Sequence, residues 1–190
     1  MENGKRLAVL FPGVGYTCDK PLLYYGGKLM EQKGYEVIRL RYHGFPEKIR
    51  GDMAKMKESF FLALRQTKEA LEAVSWGDYE DVTFLSKSIG TIVAAAYAQE
   101  QGLTVKQALL TPLSQTFDFL EKDGDAFAFH GTSDPWAVTA EIEEACGRIG
   151  IPLYLTEGAN HSLETGDVEK DIGTLEETMR RIAEIVAILA

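Results

Sequence analysis

Short apolar runs alternate with longer stretches of helical character along the chain. The runs have the length and composition of buried strands, whereas the segments between most of them repeat apolar residues every three to four positions. The predicted strands span residues 6–11, 35–42, 81–85, 107–111, 126–130 and 151–155. Strands that alternate with helices of ten or more residues form parallel sheets covered on both faces. The sequence therefore predicts an α/β fold with a mostly parallel six-stranded sheet and helices on both faces.

The composition is that of an ordinary globular domain. Hydrophobic residues make up 45% of the 190 residues and charged residues 26%, and the sequence contains no internal repeat or linker. A chain of this length can bury a full core, so we expect one domain over residues 1–190. The formal net charge of -9 disfavours nucleic acid and anionic membranes as partners, because both attract basic surfaces.

The cysteine count and the N-terminal sequence bear on the compartment. Cys18 and Cys146 lie far apart and form no C-x-x-C motif, which indicates a reducing compartment without a structural disulfide or zinc site. The apolar run after Lys5 and Arg6 covers only residues 7–11, which is too short for a signal peptide or a membrane span. We therefore expect a cytoplasmic protein that needs no metal or other cofactor.

A tight turn follows the third predicted strand. Ser88 lies at its centre, with Ser86 two residues before it and Gly90 two residues after it. This is the spacing of a nucleophile elbow, in which a strained backbone brings strand and helix so close that the flanking positions must be small. Ser86 cannot be the nucleophile itself, because Phe84 at its own flanking position is too bulky. The alternative is a buried strand followed by a serine that caps a helix.

A serine nucleophile needs a general base, and the base needs an acid that orients it. The sequence contains three histidines, His43, His130 and His161. His161 lies in a glycine-containing loop just after the last predicted strand. Asp134 lies on the loop after the fifth strand, at the sheet edge where open α/β sheets build their sites. The alternative for Asp134 is a turn residue in front of a proline.

The turn at 86–90, the loop at 130–134 and the loop at 158–161 resemble the three catalytic signatures of the α/β-hydrolase superfamily. The resemblance extends over the whole chain and implies a small, lidless serine esterase or thioesterase. It makes Ser88 the nucleophile, Asp134 the orienting acid and His161 the general base, in the chain order of that superfamily. Ser86 is the departure, because most members have glycine there.

The same resemblance implies an oxyanion hole of two backbone N–H groups. One belongs to Ile89, directly after the nucleophile, and the other comes from the loop after the first strand. Residues 12–15, with the sequence Pro-Gly-Val-Gly, resemble the His-Gly-x-Gly form of that loop. Val14 is then the second donor, with Gly15 or Tyr16 as alternatives if the loop register differs.

Glycines after a strand also open nucleotide-binding sites, but this loop lacks the rest of those motifs. The third glycine of G-x-G-x-x-G would fall at Cys18, and no Gly-Lys-Ser/Thr follows as in a P-loop. The sequence therefore disfavours a nucleotide as ligand.

Four residues are candidates for the pocket around the nucleophile. Tyr16 and Trp136 are expected as aromatic walls. His43 is expected as a wall or a loop hydrogen-bond donor rather than a second base. The fourth candidate is Lys87. His130 is not among the four and is expected to lie beneath the site.

Lys87, like Lys20 and Arg41, either recognises an anionic substrate or is a solvated surface group, and the second interpretation is favoured. Three further apolar residues are expected to wall a small pocket, namely Phe117, Phe119 and Leu120.

Two functions remain open from the sequence. The first is a serine hydrolase that cleaves small ester or thioester substrates through an acyl-enzyme. The second is a binding protein that has kept a hydrolase fold and an idle triad. The presence of Ser88, Asp134 and His161 together favours the enzyme, because an idle site has no physical reason to keep all three. The sequence does not distinguish ester from thioester or amide substrates, and it leaves the oligomeric state open.

Overall fold

The computed structural model describes residues 4–188, which form one six-stranded sheet with helices on both faces. The strands are β1 (Lys5–Phe11), β2 (Glu36–Arg39), β3 (Tyr79–Lys87), β4 (Lys106–Leu110), β5 (Ala126–Gly131) and β6 (Leu153–Thr156). The helices are α1 (Pro21–Gln32), α2 (Met53–Leu71), α3 (Ile89–Gln101), α4 (Thr139–Ile149) and α5 (Val168–Ile188). The strand order is β2-β1-β3-β4-β5-β6, and every neighbouring pair is parallel. The predicted fold class is confirmed.

Alternate residues of the strands point into two separate cores. Ala8 and Leu10 pack against α1 and α5 on one face of the sheet. Val9, one position between them, faces α2 and α3 on the other. Leu109 of β4 packs on that second face too, against α4. The central strands β1, β3, β4 and β5 are therefore buried on both faces over most of their length, which explains their continuous apolar runs.

The second strand is shorter than predicted. It ends at Arg39, and although the Leu40 N–H still donates to the Leu10 carbonyl (3.1 Å), residues 41–52 contain no regular helix or strand. The Gln66 side chain in α2 fastens this segment by donating to the His43 carbonyl (2.9 Å) and accepting from the His43 N–H (3.1 Å). Ile49, near its end, is buried. The segment therefore packs on the domain before α2 begins.

Both cysteines are buried and free. Burial raises the pKa of Cys18 to about 11 and that of Cys146 to about 12, so both are protonated thiols at neutral pH. Within residues 4–188, no helix combines the length and the apolar character that a membrane crossing requires.

Candidate active site

Ser88 lies in a strained turn between β3 and α3. Its backbone has φ 57° and ψ -127°, in a region that residues with a side chain rarely adopt. A Cβ at Gly90 would collide with the carbonyl oxygens of Phe11 and Pro12, so only glycine fits there. Ser86 is fully buried, and its hydroxyl donates to the Ala108 carbonyl (3.3 Å). These contacts account for the small residues on both sides of Ser88.

The structure brings Ser88, His161 and Asp134 together in one hydrogen-bonded chain. The His161 Nε2 atom lies 2.8 Å from Ser88 Oγ, and its Nδ1 atom lies 2.6 Å from Asp134 Oδ2. An ionised carboxylate can only accept, so Nδ1 carries the proton and Nε2 is free to accept from the serine hydroxyl. The second carboxylate oxygen of Asp134 accepts the Trp136 N–H (2.8 Å). Asp134 is thus held from two sides, with its side chain fully buried.

The loops that carry Asp134 and His161 are joined by backbone hydrogen bonds. The Ser133 N–H donates to the Ala159 carbonyl (2.9 Å), and the Thr132 N–H donates to the Thr156 carbonyl (3.0 Å). A Cβ at Gly131 would collide with the Ala159 and Asn160 carbonyls, so this close approach of the two loops requires glycine. The position of His161 relative to Asp134 is therefore set by the backbone.

The surroundings set the protonation states of Asp134 and His161. Burial lowers the pKa of His161 below its usual 6.5; its hydrogen bond to Asp134 opposes this shift, and the nearby Lys87 adds to it. Burial by itself would raise the pKa of Asp134, but the hydrogen bonds from His161 and from the Trp136 backbone hold that pKa below its usual value. At neutral pH the imidazole is neutral and the carboxylate is ionised, the states that a general base and its orienting acid need.

The two residues expected to form the oxyanion hole, Val14 and Ile89, lie in the same cavity as Ser88. Ile89 is the first residue of α3, where helical N–H groups have no acceptor within the helix. The loop of Val14 is closed by a hydrogen bond from the Gly13 N–H to the Tyr16 carbonyl (3.0 Å).

The cavity over Ser88 has a volume of about 210 Å³ and is mainly apolar on its walls. The Trp136 ring forms one side, and Tyr16 forms another, its hydroxyl accepting the Leu22 N–H (3.0 Å). Ile49 and Met56 also line it, and neither was expected there from the sequence. Met56 was recognisable only as part of the apolar stripe of α2, and Ile49 lies in the irregular segment, so periodicity could not assign either to the pocket.

Two expectations about the pocket are wrong. His43 does not form a wall of the cavity; the residue is exposed, and its backbone N–H donates to the Gln66 side chain, which agrees with the alternative of a loop hydrogen-bond donor. Phe117, Phe119 and Leu120 do not line it either. Phe117 is buried in the core, while Phe119 and Leu120 border a different cavity, of about 250 Å³, at the amino-terminal edge of the sheet. The chain after β4 turns away from Ser88, so these residues cannot reach it.

The favoured expectation for Lys87 is also wrong. Lys87 lines the cavity, as expected of a pocket candidate, but it is fully buried rather than solvated. Its Nζ donates to Thr111 Oγ1 (2.6 Å) and lies 4.9 Å from the centre of the Tyr16 ring. Burial lowers the pKa of Lys87 to about 7. Lys20 and Arg41 are exposed, as the favoured interpretation had it.

His130 lies next to Asp134. It is fully buried, and its Nε2 atom lies 3.1 Å from Thr139 Oγ1. Its Nδ1 atom has no hydrogen-bond partner within residues 4–188 and lies 3.8 Å from Asp134 Oδ2. Burial lowers the pKa of His130, so its ring is neutral at pH 7. It packs below the site, away from the cavity.

Several solved structures are similar to this chain over nearly its whole length. An α/β serine hydrolase homologue from Coxiella burnetii shares 15% identity with a TM-score of 0.61, covering 95% of this chain and 86% of its own. The esterase Pf2001 from Pyrococcus furiosus shares 15% with a TM-score of 0.66, covering 97% and 83%. Est1E from Butyrivibrio proteoclasticus shares 11% with a TM-score of 0.65, covering 98% and 90%. At such identities the likeness shows the fold.

Neither the family models nor the curated proteins contain a match to this sequence.

Proposed function

We propose that this chain, which has the α/β-hydrolase fold, is a serine hydrolase that cleaves small ester or thioester substrates through an acyl-enzyme. The observation that carries the proposal is the uninterrupted hydrogen-bonded chain from Asp134 through His161 to Ser88. The esterases among the structural neighbours support the same class of reaction. The strained backbone of Ser88 supports it further, because strain of this kind is retained where it exposes a reactive group.

The geometry supports a two-step reaction. Ser88 Oγ attacks the substrate carbonyl carbon while His161 Nε2 takes the hydroxyl proton, and the N–H groups of Val14 and Ile89 donate to the oxyanion that forms. The intermediate collapses when His161 returns the proton to the departing alcohol or thiol, which leaves an acyl group on Ser88. Water then attacks the acyl group by the same route and releases the acid. Each oxyanion donor typically contributes about 3 kcal/mol to such a barrier.

The pocket favours small acyl groups. Its volume of about 210 Å³ leaves room for a few carbon atoms beyond the carbonyl, and its walls at Ile49, Met56 and Trp136 are apolar. A short acyl chain gains from burial on such walls, at roughly 0.8 kcal/mol per methylene. We therefore propose short-chain carboxylic esters or thioesters as the substrate class.

The second candidate is a binding protein whose triad is idle. The two functions differ in whether Ser88 is activated, and a fluorophosphonate probe reports that activation directly. We expect covalent labelling of the wild type at Ser88, and no labelling of Ser88→Ala or His161→Ala. Ser133→Ala, which removes an exposed hydroxyl from the loop of the acid, is the matched control and should label like the wild type.

Hydrolysis of p-nitrophenyl acetate is measured on the same four proteins. Loss of turnover in Ser88→Ala alongside loss of labelling supports the hydrolase. An unlabelled, correctly folded wild type would instead favour the binding protein.

A further inference from the structure

Burying the Lys87 ammonium group at this position carries a desolvation free-energy cost. Its side chain is fully inaccessible, and within residues 4–188 its Nζ forms a single hydrogen bond, to Thr111, and no ion pair within 4.0 Å. Desolvating an ammonium group costs several kcal/mol unless nearby groups compensate. An apolar side chain of similar length would fill the same space without that cost. The position therefore calls for an amine for a reason other than packing.

The hydrogen bonds of Lys87 lead to the proposed base. Lys87 Nζ donates to Thr111 Oγ1 (2.6 Å), and Thr111 Oγ1 donates to the backbone carbonyl of His161 (3.0 Å). A hydroxyl has one proton, so donation to His161 obliges Thr111 to accept from Lys87. The chain of bonds thus runs in one direction, from the residue before the nucleophile to the main chain of the base.

Thr111 is itself strained. It follows β4 with φ 47°, a conformation that is an outlier for a β-branched residue. Its N–H donates to the Phe129 carbonyl (2.8 Å), and the Ser88 N–H donates to the Leu110 carbonyl next to it (3.1 Å). These bonds connect the strained backbone to both sides of β4. The Thr111 hydroxyl bonds to the loop of His161, which lies 50 residues further along the sequence.

We infer that Lys87 and Thr111 are positioning residues, which together hold the main chain of His161 so that its imidazole stays at hydrogen-bonding distance from Ser88. The inference rests on the proposed function, because the distance between base and nucleophile matters only if the serine reacts. Both residues act through His161: neither forms a hydrogen bond with Ser88 Oγ, whose partner is His161 Nε2. Losing the Thr111 hydroxyl frees the His161 carbonyl from its anchor, and losing the Lys87 amine removes the donor that holds this hydroxyl in its orientation. A displacement of about 1 Å at a reacting pair can cost up to about 100-fold in rate.

The charge of Lys87 has a second consequence for His161. The charged groups that act on Lys87 are Asp134 and Glu164, and both favour its ammonium form. His161 is acted on by Asp134, Lys87 and His130, and the positive Lys87 disfavours a second positive charge on the imidazole. Because the pKa of Lys87 is about 7, its ammonium form predominates below pH 6.5, where His161 titrates. Removing the Lys87 charge should therefore raise the pKa of His161.

The test compares variants that remove each link. In Lys87→Met the length and apolar stem are kept and the amine is lost; in Thr111→Val the β-branched shape is kept and the hydroxyl is lost. We expect kcat/KM for p-nitrophenyl acetate to fall about 10- to 100-fold in each, with Thr111→Ser close to the wild type because it keeps the hydroxyl. The double variant should lose little more than the worse single variant, because both break one chain of bonds.

Matched controls separate positioning from simple packing. Lys106 is a buried lysine that donates to Asp81 (2.8 Å), at the opposite end of β4, and Thr178 is a buried threonine whose hydroxyl donates to a carbonyl within α5. Lys106→Met and Thr178→Val should alter thermal stability at most and leave kcat/KM unchanged. If Lys87→Met does not fold, kcat/KM is compared between Thr111→Val and Thr111→Ser. A loss in the valine variant alone supports the positioning role, and equal values in the two variants contradict it.

The pKa of His161 is measured by NMR titration, with three histidines to assign. It should rise in Lys87→Met and stay unchanged in Lys106→Met. This readout does not require turnover, so an inactive wild type would overturn the proposed function while the titration still tests the inference. Wild-type values of kcat/KM and of the His161 pKa in Lys87→Met, or fully additive losses in the double variant, would overturn the positioning role.

Discussion

The Trp136 ring stacks on the imidazole of His161, with ring centroids 5.5 Å apart and planes inclined by 25°. The backbone N–H of the same tryptophan donates to Asp134 (2.8 Å). One residue thus covers the proposed base with its side chain and orients the proposed acid with its main chain. Since burial is the largest influence on the pKa of His161, the indole helps to keep that pKa low.

Trp136→Ala should therefore raise the pKa of His161 and move the acidic limb of the activity profile to higher pH. The main-chain bond to Asp134 survives the change, so turnover on the plateau should fall much less than in a variant of the acid. Trp136→Phe keeps an aromatic cover and should leave the midpoint near that of the wild type. The measurement is kcat/KM between pH 4 and 9, and an unmoved midpoint in Trp136→Ala would contradict the role of the ring.

The wild-type profile itself follows from the protonation states of the site. His161 accepts the serine proton only when neutral, and its pKa in the folded protein lies below 6.5. Activity should rise with pH through a midpoint below 6.5 and then reach a plateau. Asp134→Asn removes the carboxylate that orients the imidazole, so turnover should drop on the order of 10⁴-fold while substrate binding persists. A rate independent of pH from 4 to 9, with chemistry limiting, would exclude His161 as the base.

Met56 should limit the length of the acyl chain. It lines the cavity from the first turn of α2, so Met56→Ala should shift the preference in a p-nitrophenyl ester series toward longer chains. Met53, three residues earlier, is 72% exposed, and Met53→Ala serves as the matched control without effect on chain length. Specificity constants are compared from acetate to palmitate below the micellar limit. A wild-type optimum at eight carbons or longer would show that the pocket is deeper than its volume indicates.

Gly131 should be indispensable to the geometry of the acid and base loops. Gly131→Ala places a Cβ against the Ala159 and Asn160 carbonyls, so it should lower the free energy of unfolding by about 1–3 kcal/mol and reduce turnover by separating the loops. Gly147 lies inside α4 with open space around it. Gly147→Ala should therefore be stabilising, by roughly 0.5–1 kcal/mol. Urea denaturation and esterase turnover measure both variants, and equal stabilities for the two would contradict the packing argument.

The strands and helices were predictable to within a few residues at most boundaries, because their apolar periodicity is a local property of the sequence. The predicted strand at 35–42 is the clearest error. Its alternating pattern continues past Arg39, but the chain leaves β1 after Leu40, and pairing with a neighbouring strand is a tertiary event. The third strand was predicted too short: it runs from Tyr79 to Lys87, beyond both predicted ends.

The sequence by itself determined the parallel α/β sheet and the three loops that bear Ser88, Asp134 and His161. Strand and helix periods, the small residues around Ser88 and the strand-end positions of the other two loops are readable along the chain, and parallel strands bring their carboxyl ends to one edge. Only the tertiary structure decided that Ile49 and Met56 cover the cavity and that Lys87 is buried rather than solvated. Both depend on how distant segments pack over the sheet edge. Burial is a property of that packing, and no short-range pattern encodes it.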